Sequence, residues 1–490
     1  MNTLYLGWCF NFVEHISKKW MEKSNLISVL RTFSKKEIRD LRKWLQSPIH
    51  NQREDVVQLL DYLVEGSRLN KEDLLEKQVV FPWIYPKETY NDAKMRQCIF
   101  FLMRCVEEFL VYQSLQADGM QRKITLAREY RHRKLDKAYQ KSMKGAHGYQ
   151  QQEVHRNGFF YRNEYLLQQE QYNYTVGRSR AIPMNLQQLS DTMDISFIAD
   201  KLRQTCHMLS HQKVYKTDYE IGLIDEVLQH LEKRSDLLAI PAIGIYYYGY
   251  KTITEEEVES HFKNLKQLLF EHGRLFPKPE ISDIQRVAIN YCIRGTNLGF
   301  RNYFRELFEL YQQGLEFGTL IDNGIFSRYT FSNVVTTGTI LREYDWVENF
   351  IGQYAPYLEE RYRESMVHYS MAKLHFEKGD YDRAMILLRQ VEYDDILVNL
   401  SAKTMLLKMF YEREEFDALE SLLESVRSFM QRKKVIGYHK SNYKNIIRYT
   451  RKLLKVNPYN KTALQRLGGE IEAANPLTER EWLLRQLERM

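Results

Sequence analysis

Cys206, His207 and His211 are the residues of this 490-residue sequence whose types and spacing come closest to a metal site. Two histidines four residues apart on a helix can present both imidazoles to one ion. No third and fourth ligand can be identified, and glycine-rich phosphate loops, a nucleophile elbow and a His-Glu-x-x-His sequence are absent. The sequence therefore predicts no metal, no cofactor, no small-molecule substrate and no enzymatic activity.

A basic stripe near the C-terminus offers another chemistry, the binding of anions. Five cations recur at helical spacing with two tyrosines beside them: Lys444, Arg448, Arg451, Lys452 and Lys455, with Tyr438 and Tyr443. On a helix these cations share one face, and apolar residues such as Ile446 and Leu453 lie roughly opposite. We predict that the apolar face docks on the rest of the protein and that these seven residues bind a partner.

Three interpretations of this stripe remain open from the sequence. It can be a solvated face that keeps the chain soluble, a docking surface for an acidic protein segment, or a contact for a nucleic-acid backbone with tyrosines available for stacking. The leading hypothesis is a non-catalytic protein–protein interaction scaffold that presents a concave groove and this basic helix. The alternative is a nucleic-acid-binding or regulatory protein that uses the basic zones 121–180 and 431–461.

Charge is distributed unevenly along the chain. Residues 431–461 contain ten Lys and Arg and no Asp or Glu, whereas residues 121–180 contain thirteen cations and five acids. The two zones carry +10 and +8 against a total of +7, so the remaining residues carry −11. The sequence thus describes an acidic body with two basic zones.

Helices are the elements that must position these residues. The chain has only 10 prolines and 22 glycines, too few turn-forming residues for a β-sandwich or barrel of this length. An aromatic content of 13% excludes a disordered chain, and no apolar run is long enough to predict a transmembrane helix. Five scattered cysteines indicate a reducing compartment, so we expect a cytoplasmic protein with an all-α fold.

Pairs of an acid and an aromatic residue recur with a period of 35 residues. They are Asp345-Trp346, Asp380-Tyr381 and Glu415-Phe416. We expect each pair to open the second helix of a helix-turn-helix unit. Such a unit cannot bury its apolar face alone, so units of this kind stack on their neighbours.

Residues 372–384, with the Gly379-Asp380-Tyr381 turn followed by Ala384, resemble the tetratricopeptide repeat (TPR) family. The resemblance covers about residues 330–430 and makes Trp346, Gly379, Tyr381, Ala384 and Phe416 the repeat-defining residues. It implies a right-handed superhelical array of helix pairs. Residues 33–48 also resemble a group of uncharacterised bacterial helical-repeat proteins, which implies no activity.

Four segments follow from these patterns. We predict an N-terminal extension at 1–20, with Met1 and Met21 as alternative starts, and an N-terminal helical domain at 21–116. Irregular helical pairs follow at 117–276, and a TPR-like α-solenoid with a C-terminal capping helix at 277–490. Capping boxes predict two helix starts, one at Ser34 with Glu37 and one at Thr478 with Glu481.

Overall fold

The computed structural model describes residue 21 and residues 23–176, 183–215, 217–389, 396–432 and 438–490. Within these stretches, the side chains of residues 214, 397, 432, 438 and 439 are not described. The described residues divide into two compact units. One contains the residues up to Glu153 and Arg162–Thr192, and the other contains Val154–Tyr161 and Met193–Met490. The extension predicted at 1–20 lies outside the described residues, and the predicted domain boundaries stay predictions.

α-Helices make up the first unit, and two of them continue into the second. They are α1 (Asn25–Arg31), α2 (Lys35–Leu45), α3 (Glu54–Val64), α4 (Lys77–Ile84), α5 (Asp92–Ala117), α6 (Gly119–His132), α7 (Asp136–Gln152), α8 (Gly158–Thr175) and α9 (Leu186–Tyr215). Short 3-10 segments, Glu65–Asn70 and Glu72–Leu75, join α3 to α4. Apolar residues of α1 to α5 form one core, and α6 to α8 form a smaller one.

The second unit is also helical, apart from one short hairpin. Its helices are α10 (Ile224–Lys233), α11 (Pro241–Thr254), α12 (Glu259–His272), α13 (Lys278–Asn297), α14 (Asn302–Glu316), α15 (Arg328–Ile340), α16 (Tyr344–Tyr354), α17 (Glu360–Glu377), α18 (Tyr381–Arg389), α19 (Ile396–Glu412), α20 (Phe416–Arg432), α21 (Tyr438–Lys455), α22 (Lys461–Ala473) and α23 (Arg480–Glu488). Strands β1 (Ile321–Asp322) and β2 (Ile325–Phe326) pair antiparallel, with Ile321 opposite Phe326. Three 3-10 segments complete the unit: Ser235–Ala239, Gly273–Leu275 and Ala355–Tyr357. The predicted all-α class is confirmed for the described residues.

Consecutive helices of the second unit pack in pairs, as α11 with α12, α13 with α14, α15 with α16, α17 with α18, and α19 with α20. First helices also contact the first helices of neighbouring pairs, since α15 touches α17 and α17 touches α19. These contacts bury apolar side chains in adjoining clusters that run from Ile198 to Leu483. Helix pairs are therefore present, while the right-handed TPR-like superhelix stays a prediction.

The same turn joins the helices of the pairs α15/α16, α17/α18 and α19/α20. In each, one residue has a left-handed backbone: Arg342 (φ 62°), Gly379 (φ 82°) and Glu414 (φ 58°). The next residue donates its backbone N–H to the carbonyl five residues earlier, as Asp380 does to His375 at 2.8 Å. This is the Schellman arrangement, in which a left-handed residue just after a helix satisfies the last free carbonyls.

These turns correct the predicted position of one repeat-defining residue. Two residues after each left-handed residue the next helix begins, at Tyr344, Tyr381 and Phe416. Tyr344, not Trp346, therefore occupies the position equivalent to the other two aromatics. Trp346 lies two positions farther along, where its ring packs edge-on against Phe308 at 4.6 Å. Ala384 is fully buried, and Gly379 holds the left-handed turn.

The two predicted capping boxes have different outcomes. The box at Ser34 is confirmed, because the Ser34 N–H donates to Glu37 Oε2 at 2.7 Å and the Glu37 N–H donates to Ser34 Oγ at 3.3 Å. The box at Thr478 is wrong. Helix α23 begins after Glu479, whose backbone is left-handed and whose carboxylate accepts a hydrogen bond from Lys408 at 2.9 Å. The Glu481 carboxylate accepts a hydrogen bond from Arg301 at 2.6 Å, so it does not reach back to the start of the helix.

Helix α23 docks on the helices that precede it. Trp482 and Leu483 are buried in one core with residues of α19 to α22. The Trp482 indole Nε1–H donates to Glu412 Oε1 at 2.6 Å, and Gln486 Nε2 donates to the same oxygen at 3.2 Å. The C-terminal helix thus covers the apolar end of this core.

Candidate functional site

Helix α21 carries the predicted basic stripe and docks by its opposite face. Tyr443, Ile446, Ile447, Tyr449 and Leu453 are buried in the core shared with α19, α20 and α22. This face forms because apolar residues recur every three or four positions, the period of one side of a helix. The five cations are consequently held on the side of α21 that faces away from this core.

The cations of α21 form one wall of a groove of about 950 Å³ between α20, α21 and α22. We call it the basic groove. Its charged lining residues are Arg427, Lys440, Lys444, Arg448, Arg451, Lys452, Lys455, Arg466 and Glu470, and its other lining residues are Met430, Gln431, Ile447, Val456, Ala463 and Leu467. Eight cations and one carboxylate therefore surround a partly apolar floor. The structure brings all five predicted cations together in this groove.

Three of the predicted cations are exposed and available. Lys444, Arg448 and Lys455 have exposed side chains, and no ion pair joins them to a carboxylate of the described residues. The guanidinium of Arg448 lies 5.5 Å from the ring centre of Tyr449, which supports the extended side chain. These three side chains can contact an anion without first breaking a salt bridge.

The other two predicted cations brace the walls of the groove. Arg451 donates a hydrogen bond to Glu424 Oε1 on α20, and Lys452 donates to Glu470 Oε2 on α22. Each contact joins α21 to one of its neighbours. Arg451 and Lys452 therefore position the helices that form the groove, in addition to adding positive charge.

Glu470 is the one carboxylate among the lining residues that the structure describes. The hydrogen bond from Lys452 lowers the pKa of Glu470, and the charges of Arg466 and Arg448 act in the same direction. Its backbone carbonyl accepts a hydrogen bond of 3.1 Å from the hydroxyl of buried Tyr449. The carboxylate is thus held ionised at a fixed place among the cations.

The two predicted partner-binding tyrosines have a different position from the cations. Tyr443 is only 9% exposed and belongs to the core beneath α21, where its hydroxyl lies 3.4 Å from Ser401 Oγ. Its ring does not line the basic groove, so the structure places Tyr443 in the core and not among the residues of this surface. The reason is its phase, because Tyr443 shares the face of Ile446 and Ile447. Tyr438 begins α21, but its side chain lies outside the described residues.

Three lining cations were not assigned to the binding surface from the sequence. Lys440 lies one turn before Lys444 and belongs to the zone 431–461, so the helical period could have included it. Arg427 lies on α20 and Arg466 on α22, and both reach the groove through tertiary packing. No local pattern in the sequence distinguishes them from other surface arginines.

Part of the charge of the first basic zone is used inside the fold. Arg131 donates to Glu170 Oε1 at 2.7 Å and to its Oε2 at 3.3 Å, and Arg128 lies 3.8 Å from the same carboxylate. Glu170 itself is buried. Arg133 pairs with Glu129 on its own helix. Arg128 and Arg131 stabilise the packing of α6 on α8. Residues 177–180 of this zone lie outside the described residues.

The two histidines singled out for metal chemistry have other partners. His211 Nδ1 lies 3.0 Å from the Tyr219 hydroxyl, and its ring stacks on Tyr215 at 4.3 Å. His207 Nδ1 lies 3.9 Å from Asp283 Oδ2. Across the part of the chain that the structure describes, no group of three or more His, Cys, Asp and Glu is placed to hold a metal ion.

Comparisons with protein-family models, curated proteins and solved structures find no match to this chain. The functional argument consequently rests on the groove itself. None of the helices in the described ranges combines the length and apolar character needed to cross a membrane.

Proposed function

We propose that this protein is a non-catalytic interaction scaffold whose basic groove binds an acidic segment of a protein partner. One observation carries the proposal: eight cations surround a floor that contains Met430, Ile447, Val456 and Leu467. A ligand that satisfies both parts must carry negative charges beside apolar side chains. An amphipathic acidic helix has this composition, and helices of this kind commonly bind by laying an apolar face into a groove.

Carboxylates are the anions that the walls of the groove already bind. Glu424 accepts a hydrogen bond from Arg451, and Glu470 accepts one from Lys452. Arg and Lys form strong charge-assisted hydrogen bonds with carboxylates, and such contacts at the rim of an interface mainly accelerate and orient association. Aspartates and glutamates of a partner can make the same contacts with Lys444, Arg448 and Lys455.

The alternative, a nucleic-acid ligand, uses less of the groove. Single-stranded nucleic acids are bound through a charged channel together with aromatic rings on which bases stack. None of the lining residues in the described part of the chain is aromatic. Tyr443 and Tyr449 belong to α21, but both lie on its buried face. A phosphodiester backbone would also leave the apolar floor without a partner. These features favour the acidic protein segment.

The helix pairs provide the framework of this scaffold in our proposal. We infer that the pairs α15/α16, α17/α18 and α19/α20 continue as a TPR-like array that ends in the basic groove. Their shared left-handed turns and their successive contacts support this inference. The four cysteines in the described part of the chain are buried with free thiols, which fits the reducing cytoplasm that we propose as its location.

Charge reversal at two of the three exposed cations tests the proposal. The probe is a fluorescent helical peptide of alternating Glu and Leu blocks, and its binding is measured by fluorescence anisotropy at about 0.15 M salt, where charges are screened over about 8 Å. We expect the double variant Lys444→Glu with Arg448→Glu to weaken peptide binding by at least about tenfold, since it places two like charges at the rim of the interface. These two positions are chosen because they brace no neighbouring helix.

A matched control separates groove binding from a general loss of positive charge. Lys461→Glu makes the same kind of change on exposed Lys461, at the start of α22 and outside the groove lining. We expect this variant to bind the peptide within about twofold of the unchanged protein, because salt screens distant surface charges. The proposal would be contradicted if the control and the double variant lost peptide affinity equally, or if the unchanged protein did not bind the peptide.

A further inference from the structure

Glu470 lies among the cations that line the basic groove. Its carboxylate accepts a hydrogen bond from Lys452 and lies 3.6 Å from Arg466 Nε. Arg448 is close enough to influence its ionisation. One acid therefore pairs with two of the eight cations that line the groove, Lys452 and Arg466.

The position of Glu470 is fixed by the fold. The Tyr449 hydroxyl donates to the Glu470 backbone carbonyl, and the Tyr449 ring lies beneath the charged groups of Arg448 and Lys452 at 5.5 and 5.6 Å. Because Tyr449 is buried, helix α22 cannot move Glu470 away without disturbing the core. An incoming ligand therefore meets a fixed negative charge in the middle of a cationic surface.

A fixed negative charge affects two classes of polyanion differently. A phosphodiester chain carries one charge on every nucleotide, so a strand that follows the groove must bring a phosphate close to Glu470. A helical peptide carries its carboxylates on separate side chains, and an apolar residue can face Glu470 and the floor. Like-charge contacts at an interface suppress wrong partners, and specific interfaces use such repulsion beside their attractive contacts.

We propose that Glu470 is a specificity-determining residue of the basic groove, which admits acidic protein segments and disfavours nucleic acids. This inference rests on the proposed function and deepens it. Glu470 acts by repulsion, and its salt bridges also reduce the number of cations available to a continuous phosphate backbone. Replacing the carboxylate by an amide frees Lys452 and Arg466 together.

The test compares two probes on three variants of the full chain. The probes are the Glu/Leu peptide and a single-stranded oligothymidylate, and the variants are Glu470→Gln, Glu470→Asp and Glu472→Gln. Glu472 is exposed on the same helix and does not line the basic groove, so it provides the same change in net charge outside the site. Circular dichroism checks that each variant is folded.

We expect Glu470→Gln to tighten oligothymidylate binding by about tenfold relative to peptide binding, because a like-charge contact is removed. The dependence of oligothymidylate affinity on salt should also steepen by about one in its logarithmic slope, since more cations meet phosphates. Glu470→Asp should keep the ratio of the two affinities within about threefold of the unchanged protein, because it keeps the repelling charge.

The outcomes separate this inference from the proposed function. Equal ratios of the two affinities in Glu470→Gln and Glu472→Gln would overturn the role of Glu470, even if the peptide binds well. An unchanged protein that ignores the peptide overturns the proposed function. In that case, if only Glu470→Gln gains oligothymidylate binding, the exclusion of nucleic acid by Glu470 is still supported. If Glu470→Gln gains no oligothymidylate binding, the role of Glu470 and the proposed function are both overturned.

Discussion

Tyr443 supports the basic groove from beneath, since its ring is packed in the core under the helix that carries the cations. Burial raises the pKa of its hydroxyl, which lies 3.4 Å from Ser401 Oγ. Along α21, the exposed cations therefore lie on one face of the helix and Tyr443 lies on the face that packs in the core. At this scale, a residue contributes to binding or to stability according to its helical phase.

Two substitutions at Tyr443 test this division of roles. Tyr443→Phe removes one long hydrogen bond and should lower the free energy of unfolding by at most about 1 kcal/mol. Tyr443→Ala leaves a cavity in the core and should cost about 3–5 kcal/mol, as large-to-small core substitutions do. Urea denaturation followed by circular dichroism measures both effects. Peptide affinity reduced by Tyr443→Phe would instead indicate that the hydroxyl contacts the ligand.

The turns between paired helices determine which residues are equivalent from one pair to the next. Gly379 is visible in the sequence as a turn residue, whereas Arg342 and Glu414 adopt the same left-handed backbone without being glycine. A side chain in this conformation is strained by contact with its own backbone, at roughly 1–2 kcal/mol. The acid–aromatic pairs in the sequence consequently predict Trp346 as the residue equivalent to Tyr381 and Phe416. The turns show that Tyr344 occupies the equivalent position.

Glycine at these two turns should therefore stabilise the protein. We expect Arg342→Gly and Glu414→Gly each to raise the free energy of unfolding by about 1 kcal/mol, because glycine adopts positive φ without strain. Lys378→Gly is the matched control: Lys378 precedes Gly379 with a right-handed backbone (φ −72°), where glycine should destabilise by about 0.5–1 kcal/mol. Chemical denaturation of the three variants compares them. Destabilisation by all three would refute the argument from strain.

Local patterns predicted the helices well and the assembly of the groove only in part. The Ser34 capping box and the two faces of α21 depend on residues within about one turn of each other, so the sequence contains the whole signal. The box at Thr478 does not form, because the helix begins one residue later and the Glu481 carboxylate accepts a hydrogen bond from the distant Arg301. Arg427, Arg466 and Glu470 join the groove through packing of separate helices, which no local spacing encodes.

The whole molecule concentrates its positive charge in short zones of an otherwise acidic chain. The net charge of the chain is +7, whereas the residues outside the zones 121–180 and 431–461 together carry −11. The first zone uses Arg128, Arg131 and Arg133 in internal ion pairs, whereas the second leaves Lys444, Arg448 and Lys455 exposed at the groove. An acidic partner is therefore repelled by most of the chain and attracted to the basic groove.

Site-specific photocrosslinking tests this account most directly. A benzophenone group replaces one leucine of the Glu/Leu peptide, and mass spectrometry locates the crosslinked residue in the full chain. Because the apolar face of the peptide should lie on the groove floor, we predict crosslinks to Met430, Ile447 or Leu467, lost when unlabelled peptide competes. Crosslinks confined to residues outside the basic groove, or insensitive to competition, would contradict the assignment of this groove as the binding site.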